Sequence, residues 1–436
     1  HFIATGHPRP KNNQENQQFT SFFENRKGMG YIDFVYPVQK KLAHISSQST
    51  VAIKGIGLTF IDTVLALTEG RRGHFKKAEN GKLTYYKNGE EPKKIYPFSR
   101  SGSLILPRGT TYGLPDRILL YFNENLLRKL KQVNKQKAID FKTTLLPLIE
   151  QEIVFAYYHL LFQKYGLQLK YNEKFKAVQQ QIDVFHNSFP EEKTFSLSTL
   201  LQPIAENSED FHQETVDYLD FVLAEAKKGE LLSPFAAAIG LWRYLSDVFN
   251  EFYQFGGLTA GGQRDFCAAY AGQFNRIAYG PPIENMEKMQ ALVEAGLIDF
   301  SLAKSPKIDL NENEQTMTFF NDRKEVKIQY LIDARIPKVS LEKNTADLFL
   351  NLQKRGMIRP FVNENSVEEA PFSPGCLDLN EEGHPINTDG KIVKNITVTG
   401  TPTEGVTFDN DSLSRSRNDF VSGWAKEVLR KYVDIK

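Results

Sequence analysis

The stretch TVAIKGIGLTFIDTVLAL, residues 50–67, constrains the fold of this chain more than any other. Val51, Ala52 and Ile53 form a short β-prone run. Ile61, Val64, Leu65 and Thr68 then recur at helical spacing, with Gly70 as the expected stop. Gly55 and Gly57 sit between the two patterns, so a strand turns directly into a helix. Such a βα unit is the building block of a parallel sheet, and it places the chain in the α/β class.

A strand ending in Gly-x-Gly before a helix offers a specific service. The first glycine permits a sharp turn, the second lets a diphosphate approach the backbone, and the helix start presents unpaired N–H groups with partial positive charge. Gly55, Gly57, Leu58 and Thr59 are therefore candidate cofactor-binding residues. Position 60, where a dinucleotide fingerprint has a third glycine, holds Phe60, whose ring must widen the gap or point elsewhere. On these residues alone, a cofactor turn and a plain tight βα turn both remain open.

The next strand should decide ribose specificity. Arg71 and Arg72 follow the helix and read as its solvated end. KLTYYKNGEEPKKIYPF has two β-prone runs around Asn88 and Gly89, which predicts an edge hairpin. If that hairpin is an insertion, the second strand of the sheet is KIYPFSRSG, with Ser99, Arg100 and Ser101 at its tip. A guanidinium between two hydroxyls suits a 2′-phosphate, favouring NADP over NAD, with Arg108 a weaker candidate. An ordinary loop cation is the alternative.

The chain has 436 residues, long enough for two or three domains. Its 54 Lys and Arg balance 53 Asp and Glu, with no basic stripe of the kind nucleic acid requires. No apolar run approaches the roughly 18 residues of a membrane span, PFAAAIGLW being the best candidate, so no membrane partner is expected. Cys267 and Cys376 are far apart, which disfavours a local dithiol and fits a reducing cytosol. Eight scattered histidines predict no locally assembled metal site.

Residues 11–30, polar and amide-rich, read as a solvated linker. Residues 115–300 have helical spacing, with Ser208 the expected N-cap of the helix through Val216, Leu219, Leu223 and Ala226. This region is expected to cover the site and supply a substrate pocket or a homo-oligomer surface. Within it, GGLTAGGQRDF, with glycines at 256, 257, 261 and 262, reads as a flexible interhelical loop in preference to a ligand-approach or hinge segment. Arg276 reads as half of an ion pair, and Tyr157 and Tyr158 as core. Alternating patterns return at TMTFF and VKIQYLIDAR, a helix is expected near TADLFLNLQKRG, GKIVKNITVTG reads as a strand, and a final helix carries Val421, Trp424 and Val428.

FIATGHP, VAIKGIGLTFIDTVLALTEGRRGHF, YPFSRSGSLILPRG, NRIAYGPPIENM and GTPTEGVTFDNDSLSR, in that order, resemble the bacterial FAD/NAD(P)-binding proteins, a group of two-dinucleotide flavoproteins. The resemblance implies a Rossmann-like architecture with a large helical insertion. Residues 1–28 would be a remnant of the FAD-binding domain plus linker, 29–114 an NAD(P)-binding domain, 115–300 the helical insertion, 301–368 a returning β segment and helix, and 369–436 the rest of the FAD domain. It also implies that Ala4, Thr5 and Gly6 lie near the flavin nucleotide, and that Gly400, Thr401, Pro402, Thr403 and Glu404 face the ribityl chain or the flavin ring. Relatives often have an acid where Thr401 stands, and Glu404 is the substitute at hand. The family's opening GxGxxG segment does not precede residue 51, so this sequence reads as the remainder of a longer protein.

Two adjacent dinucleotide sites imply hydride transfer from NADPH to FAD, and the separated cysteines disfavour a disulfide reductase. An N-hydroxylating or flavin-containing monooxygenase acting on a small molecule is the preferred expectation. A non-catalytic cofactor sensor and a flavin-free dehydrogenase are the rivals.

Overall fold

The computed structural model describes every residue except 8–10, 110–116, 135–137, 206, 366–369, 411–416 and 434–436. The unit boundaries expected near 114 and 368, and the DSLSR end of the last family motif, lie outside the described residues. Among the described residues there are eleven strands: β1 Phe2–Ile3, β2 Gly30–Ile32, β3 Thr50–Lys54, β4 His74–Lys77, β5 Leu83–Tyr86, β6 Lys94–Phe98, β7 Lys307–Asn311, β8 Thr316–Phe320, β9 Glu325–Ile328, β10 Tyr330–Asp333 and β11 Thr397–Val398.

Strands β2, β10, β3 and β6 form one sheet in that order, and every neighbouring pair is parallel. Side chains alternate across it. Val51, Ile53, Ile95 and Ile332 enter a large core shared with the helix Leu58–Leu67 and the helical region. Ala52, Tyr96, Phe98 and Leu331 enter a second core on the opposite face. Burial on both faces is the normal state of a parallel sheet, and it explains the apolar run that marked β3. Phe60 points into the first core, so the ring at the third-glycine position lies beneath the helix. The strand β10 comes from the 301–368 stretch and returns beside β3 after the helical excursion.

The second core overturns one expectation. Residues 14–23 are a helix, Gln14–Phe23, capped by the Asn13 side chain. Its Phe19, Phe22 and Phe23, spaced i, i+3, i+4, are buried between the parallel sheet and the antiparallel sheet β7-β8-β9. The surrounding amides hid that stripe. The hairpin is likewise displaced: β4 pairs with β5 across the Asn80-Gly81 turn, where Gly81 has φ +83°, and not across Asn88-Gly89. The hairpin is thus an insertion, and KIYPF is the neighbour of β3 in the parallel sheet.

The middle of the chain is helical, as its spacing indicated. The helix Phe211–Lys228 is capped by Asp210, whose side chain accepts the Gln213 N–H at 3.0 Å, rather than by Ser208. Residues Phe141–Lys164 form a 24-residue stretch long and apolar enough to cross a membrane by composition, contrary to the absence of such a run expected above. Half of its most apolar window is buried within the protein, and Glu152 in it accepts N–H bonds from Leu120, Tyr121 and Phe122. Those features mark a core helix. The GGLTAGGQ segment is not a loose loop. It starts the short helix Ala260–Asp265, capped by Thr259, and a Cβ on Gly262 would lie 2.8 Å from the Phe141 nitrogen. A third core gathers Ile3, Leu341, Phe349, Cys376, Val398 and Val406 around the parallel pair β1-β11. The strand read from GKIVKNITVTG is only the two residues of β11.

Asp299 ties the antiparallel sheet to the edge of the parallel one. Its carboxylate accepts Lys324 Nζ at 2.8 Å, Ser301 Oγ at 2.6 Å and Ser301 N at 2.9 Å, while its own N–H donates to the Ile95 carbonyl. Burial opposes ionisation, but the Lys324 and Ser301 bonds outweigh it and lower the pKa to about 2. A depressed carboxylate pKa contributes stability above the unfolded value near 4, and that stability is lost as pH falls through the folded value. Asp299→Asn is therefore expected to cost about 1 to 2 kcal/mol at neutral pH, allowing for solvent screening, and to flatten the acid limb of urea-unfolding curves between about pH 4 and 2.

Candidate functional site

The carboxyl ends of β3, β6 and β10 share one edge of the sheet, because Lys54 pairs with both Phe98 and Asp333. The chain leaves β3 toward β6 on one side and returns to β10 on the other. That reversal of strand order is where open α/β sheets leave a crevice for ligands.

Gly55 and Gly57 stand at this reversal point. Gly55 has φ +103°, and a Cβ there would lie 3.0 Å from Arg335 Cγ. Gly57 is the N-cap of the helix Leu58–Leu67, with no side-chain cap bond, and a Cβ on it would meet nothing within 4 Å. Leu58 is half-exposed and Thr59 is buried. The helix start is therefore uncapped by side chains and the space before it is open, which is the shape a diphosphate requires.

Ser99, Arg100 and Ser101 follow β6 on the same edge. Ser99 Oγ accepts the Gly102 N–H at 3.0 Å, and Ser101 Oγ accepts the Ser103 N–H at 3.3 Å, so both hydroxyls shape the loop. Arg100 is exposed, and its carbonyl accepts Ser305 Oγ.

A charged cluster that sequence reading did not find borders the glycine turn. Arg335, two residues past β10, makes a paired contact with Asp333, Nε to Oδ1 at 2.9 Å and Nη2 to Oδ2 at 2.6 Å. That hydrogen bonding raises the Arg335 pKa. Lys54 is paired with Glu15, from the helix Gln14–Phe23, and Arg335 lies 3.9 Å from the same carboxylate. Burial, then the Asp333 and Asp33 charges, push the Tyr31 phenol upward. The one signal in the sequence is the Asp-Ala-Arg that closes LIDAR.

The second set of glycines sits at the other parallel pair. Phe2 pairs with Thr397 and Ile3 with Val398, and the Thr399 N–H donates to the Ile3 carbonyl at 3.0 Å. Gly6 and Gly400 thus follow neighbouring strand ends, with φ +65° and +78°, and a Cβ on either would meet nothing within 4 Å. Ala4, Thr5 and Gly6 are exposed. Thr401, Pro402 and Thr403 form a buried helical turn. Thr403 Oγ1 donates to the Gly400 carbonyl and accepts Asn410 Nδ2, both at 2.8 Å. The Glu404 carboxylate accepts the Asn410 and Asp409 N–H groups at 2.5 and 3.2 Å, which closes the turn.

The glycine-rich helical segment locks onto this turn. Gln263, fully buried, donates to the Gly405 carbonyl at 2.6 Å and accepts Asn363 Nδ2 at 2.8 Å. Arg276, expected in an ion pair, instead donates to the carbonyls of Leu104, Leu200 and Leu201. Cys267 and Cys376 are free, and burial raises both thiol pKa values.

No protein-family model matches the chain. Curated proteins do align with most of it. It is 26% identical to nitrosuccinic acid synthase npaA of Aspergillus oryzae over 423 residues, 93% of this chain and 63% of that protein. It is 24% identical over 375 residues to the L-aspartate N-monooxygenase (nitrosuccinate-forming) of Streptomyces davaonensis, covering 81% and 56% of the two chains. A protein of the same description from Streptomyces cremeus is 24% identical over 399 residues, 87% and 59%. The chain thus spans between 56% and 63% of the length of these relatives.

Proposed function

We propose that this protein is an N-oxygenase that uses FAD and NADPH to oxidise the amino group of a small acidic amino acid such as L-aspartate. The observation that carries the reading is the similarity over 93% of the chain to a nitrosuccinic acid synthase, joined by two L-aspartate N-monooxygenases. The order of the four parallel strands, with Gly-x-Gly at the reversal point, supports a Rossmann-like nucleotide domain. Gly55, Gly57, Leu58 and Thr59 would hold the NADPH diphosphate through backbone N–H groups, and Ser99, Arg100 and Ser101 the 2′-phosphate. Ala4, Thr5, Gly6 and residues 400–404 would meet the flavin through their backbone, since Thr403 Oγ1 and the Glu404 carboxylate already serve the turn. Bound FAD would supply oxygen activation after reduction by NADPH, while the protein orients both cofactors and limits water.

Stopped-flow mixing of the flavin-loaded, full-length protein with NADPH tests the reading. Prompt bleaching of the flavin band, with product formed from L-aspartate, is expected. Binding without bleaching points to a sensor, and a colourless protein that turns over NADPH points to a dehydrogenase. Arg100→Ala is expected to weaken NADPH about tenfold more than NADH, the loss of one charge-assisted phosphate contact. Equal losses remove the 2′-phosphate assignment.

A further inference from the structure

A cavity of about 480 Å³, lined by none of the glycine-turn residues, lies between the helices Leu146–Lys164 and Phe175–Ser188. Its two walls are single helix faces. Residues 147, 150, 151, 154 and 158 line one, and residues 179, 182, 183, 186 and 187 the other, at helical spacing. The volume falls within the range of small-molecule pockets.

The lining has a definite chemical character. Glu150 and Asp183 supply two carboxylates, and no lysine or arginine lines the cavity. Phe175 and Phe195 supply aromatic surface held in place by other rings, with the buried Tyr158 in the wall behind. Phe195 stacks on Tyr157 at 4.0 Å and 5°, Phe175 meets Tyr121 edge-on at 5.3 Å, and Tyr158 meets His186 edge-on at 5.6 Å. The Tyr158 hydroxyl accepts the Phe195 N–H at 3.0 Å and shares a 2.8 Å hydrogen bond with His186 Nε2, whose direction follows the imidazole tautomer. Tyr158 itself is buried, so the ring surface open to a ligand is that of the partly exposed Phe175 and Phe195. Asp183 is steadied by Gln179 Nε2 at 2.9 Å.

We propose that this cavity binds a small organic ammonium compound with a planar apolar body. The carboxylates attract the cation, the rings add cation–π and apolar contact, and their fixed geometry lowers the cost of ordering the site. A dicarboxylate substrate is repelled here, so the site is separate from the proposed oxygenase chemistry and does not depend on it.

Isothermal titration calorimetry of the chain with phenethylammonium chloride tests the assignment. Single-site binding is expected, with no detectable binding of phenylacetate and weaker binding of neutral 2-phenylethanol. Glu150→Gln, at a half-buried position, and Asp183→Asn, at an exposed one, are each expected to retain the wild-type circular dichroism and to weaken the amine about fivefold. Absence of amine binding, equal binding of phenylacetate or 2-phenylethanol, or unchanged affinity in both variants overturns the proposal. None of these results bears on flavin bleaching by NADPH, so the two readings fail separately.

Discussion

Gly280→Ala is expected to destabilise the protein by about 3 kcal/mol or more, a loss of at least a hundredfold in the folding equilibrium. The reason is local and backbone-borne. A Cβ at position 280 would sit 1.5 Å from the Leu106 carbonyl oxygen and 2.7 Å from its carbon. Neither atom can rotate away, because the Leu106 N–H donates to the Arg276 carbonyl at 3.0 Å and the Arg108 N–H to the Pro281 carbonyl at 2.8 Å. Relief requires breaking this ladder, which also carries the Arg276 bond to Leu104. Gly272→Ala is the matched control. It lies exposed in the helix Ala271–Ala278, and its Cβ would meet nothing within 4 Å, so the change should be neutral or stabilising by about 0.5 kcal/mol. Urea denaturation of both variants checks the pair. A Gly280→Ala protein with an unchanged midpoint would mean that the close approach of these segments is wrong.

The contrast explains which parts of the molecule the sequence disclosed. The unit β3 to Leu67 was legible because its apolar residues face two cores, leaving a dense strand and a periodic helix on either side of two glycines. Gln14–Phe23 was not, because only three phenylalanines carry its burial while amides fill the exposed face. Two Asn-Gly pairs eight residues apart are equally good turn signals, and only pairing with β6 decides that Asn80-Gly81 makes the hairpin. Glycines at 262 and 280 look like loop residues in sequence, yet each is a point where another segment's backbone comes within 3 Å of the missing Cβ.

The candidate site divides in the same way. Its glycine turns are local and could be read from short motifs. Its charges are not: Lys54 meets Glu15, and Arg335 crosses the Gly55 turn from a strand nearly three hundred residues away in sequence. The lock of Gln263 on Gly405 is likewise a contact between distant segments, invisible to any local pattern. What sequence supplies is the backbone shape of a site, and what the fold supplies is the side chains around it.

Gly57→Asp separates the stability of the nucleotide turn from its function. At an N-cap with φ −106° and ψ −158°, aspartate is sterically free, since its Cβ would meet nothing within 4 Å. Its carboxylate would accept the unpaired N–H groups of the first helical turn and favour the positive end of the helix dipole, so stability should hold or rise by about 0.5 kcal/mol. The same carboxylate occupies the place proposed for the diphosphate and removes its charge-assisted bonds, each worth about 1.5 to 3 kcal/mol. NADPH affinity should therefore fall at least about a hundredfold while thermal unfolding is unchanged or improved. Gly57→Asn, of similar size without the charge, should lose less. If Gly57→Asp binds NADPH as the parent does, the diphosphate does not sit at this helix and the nucleotide reading of the turn fails, whatever the relatives do.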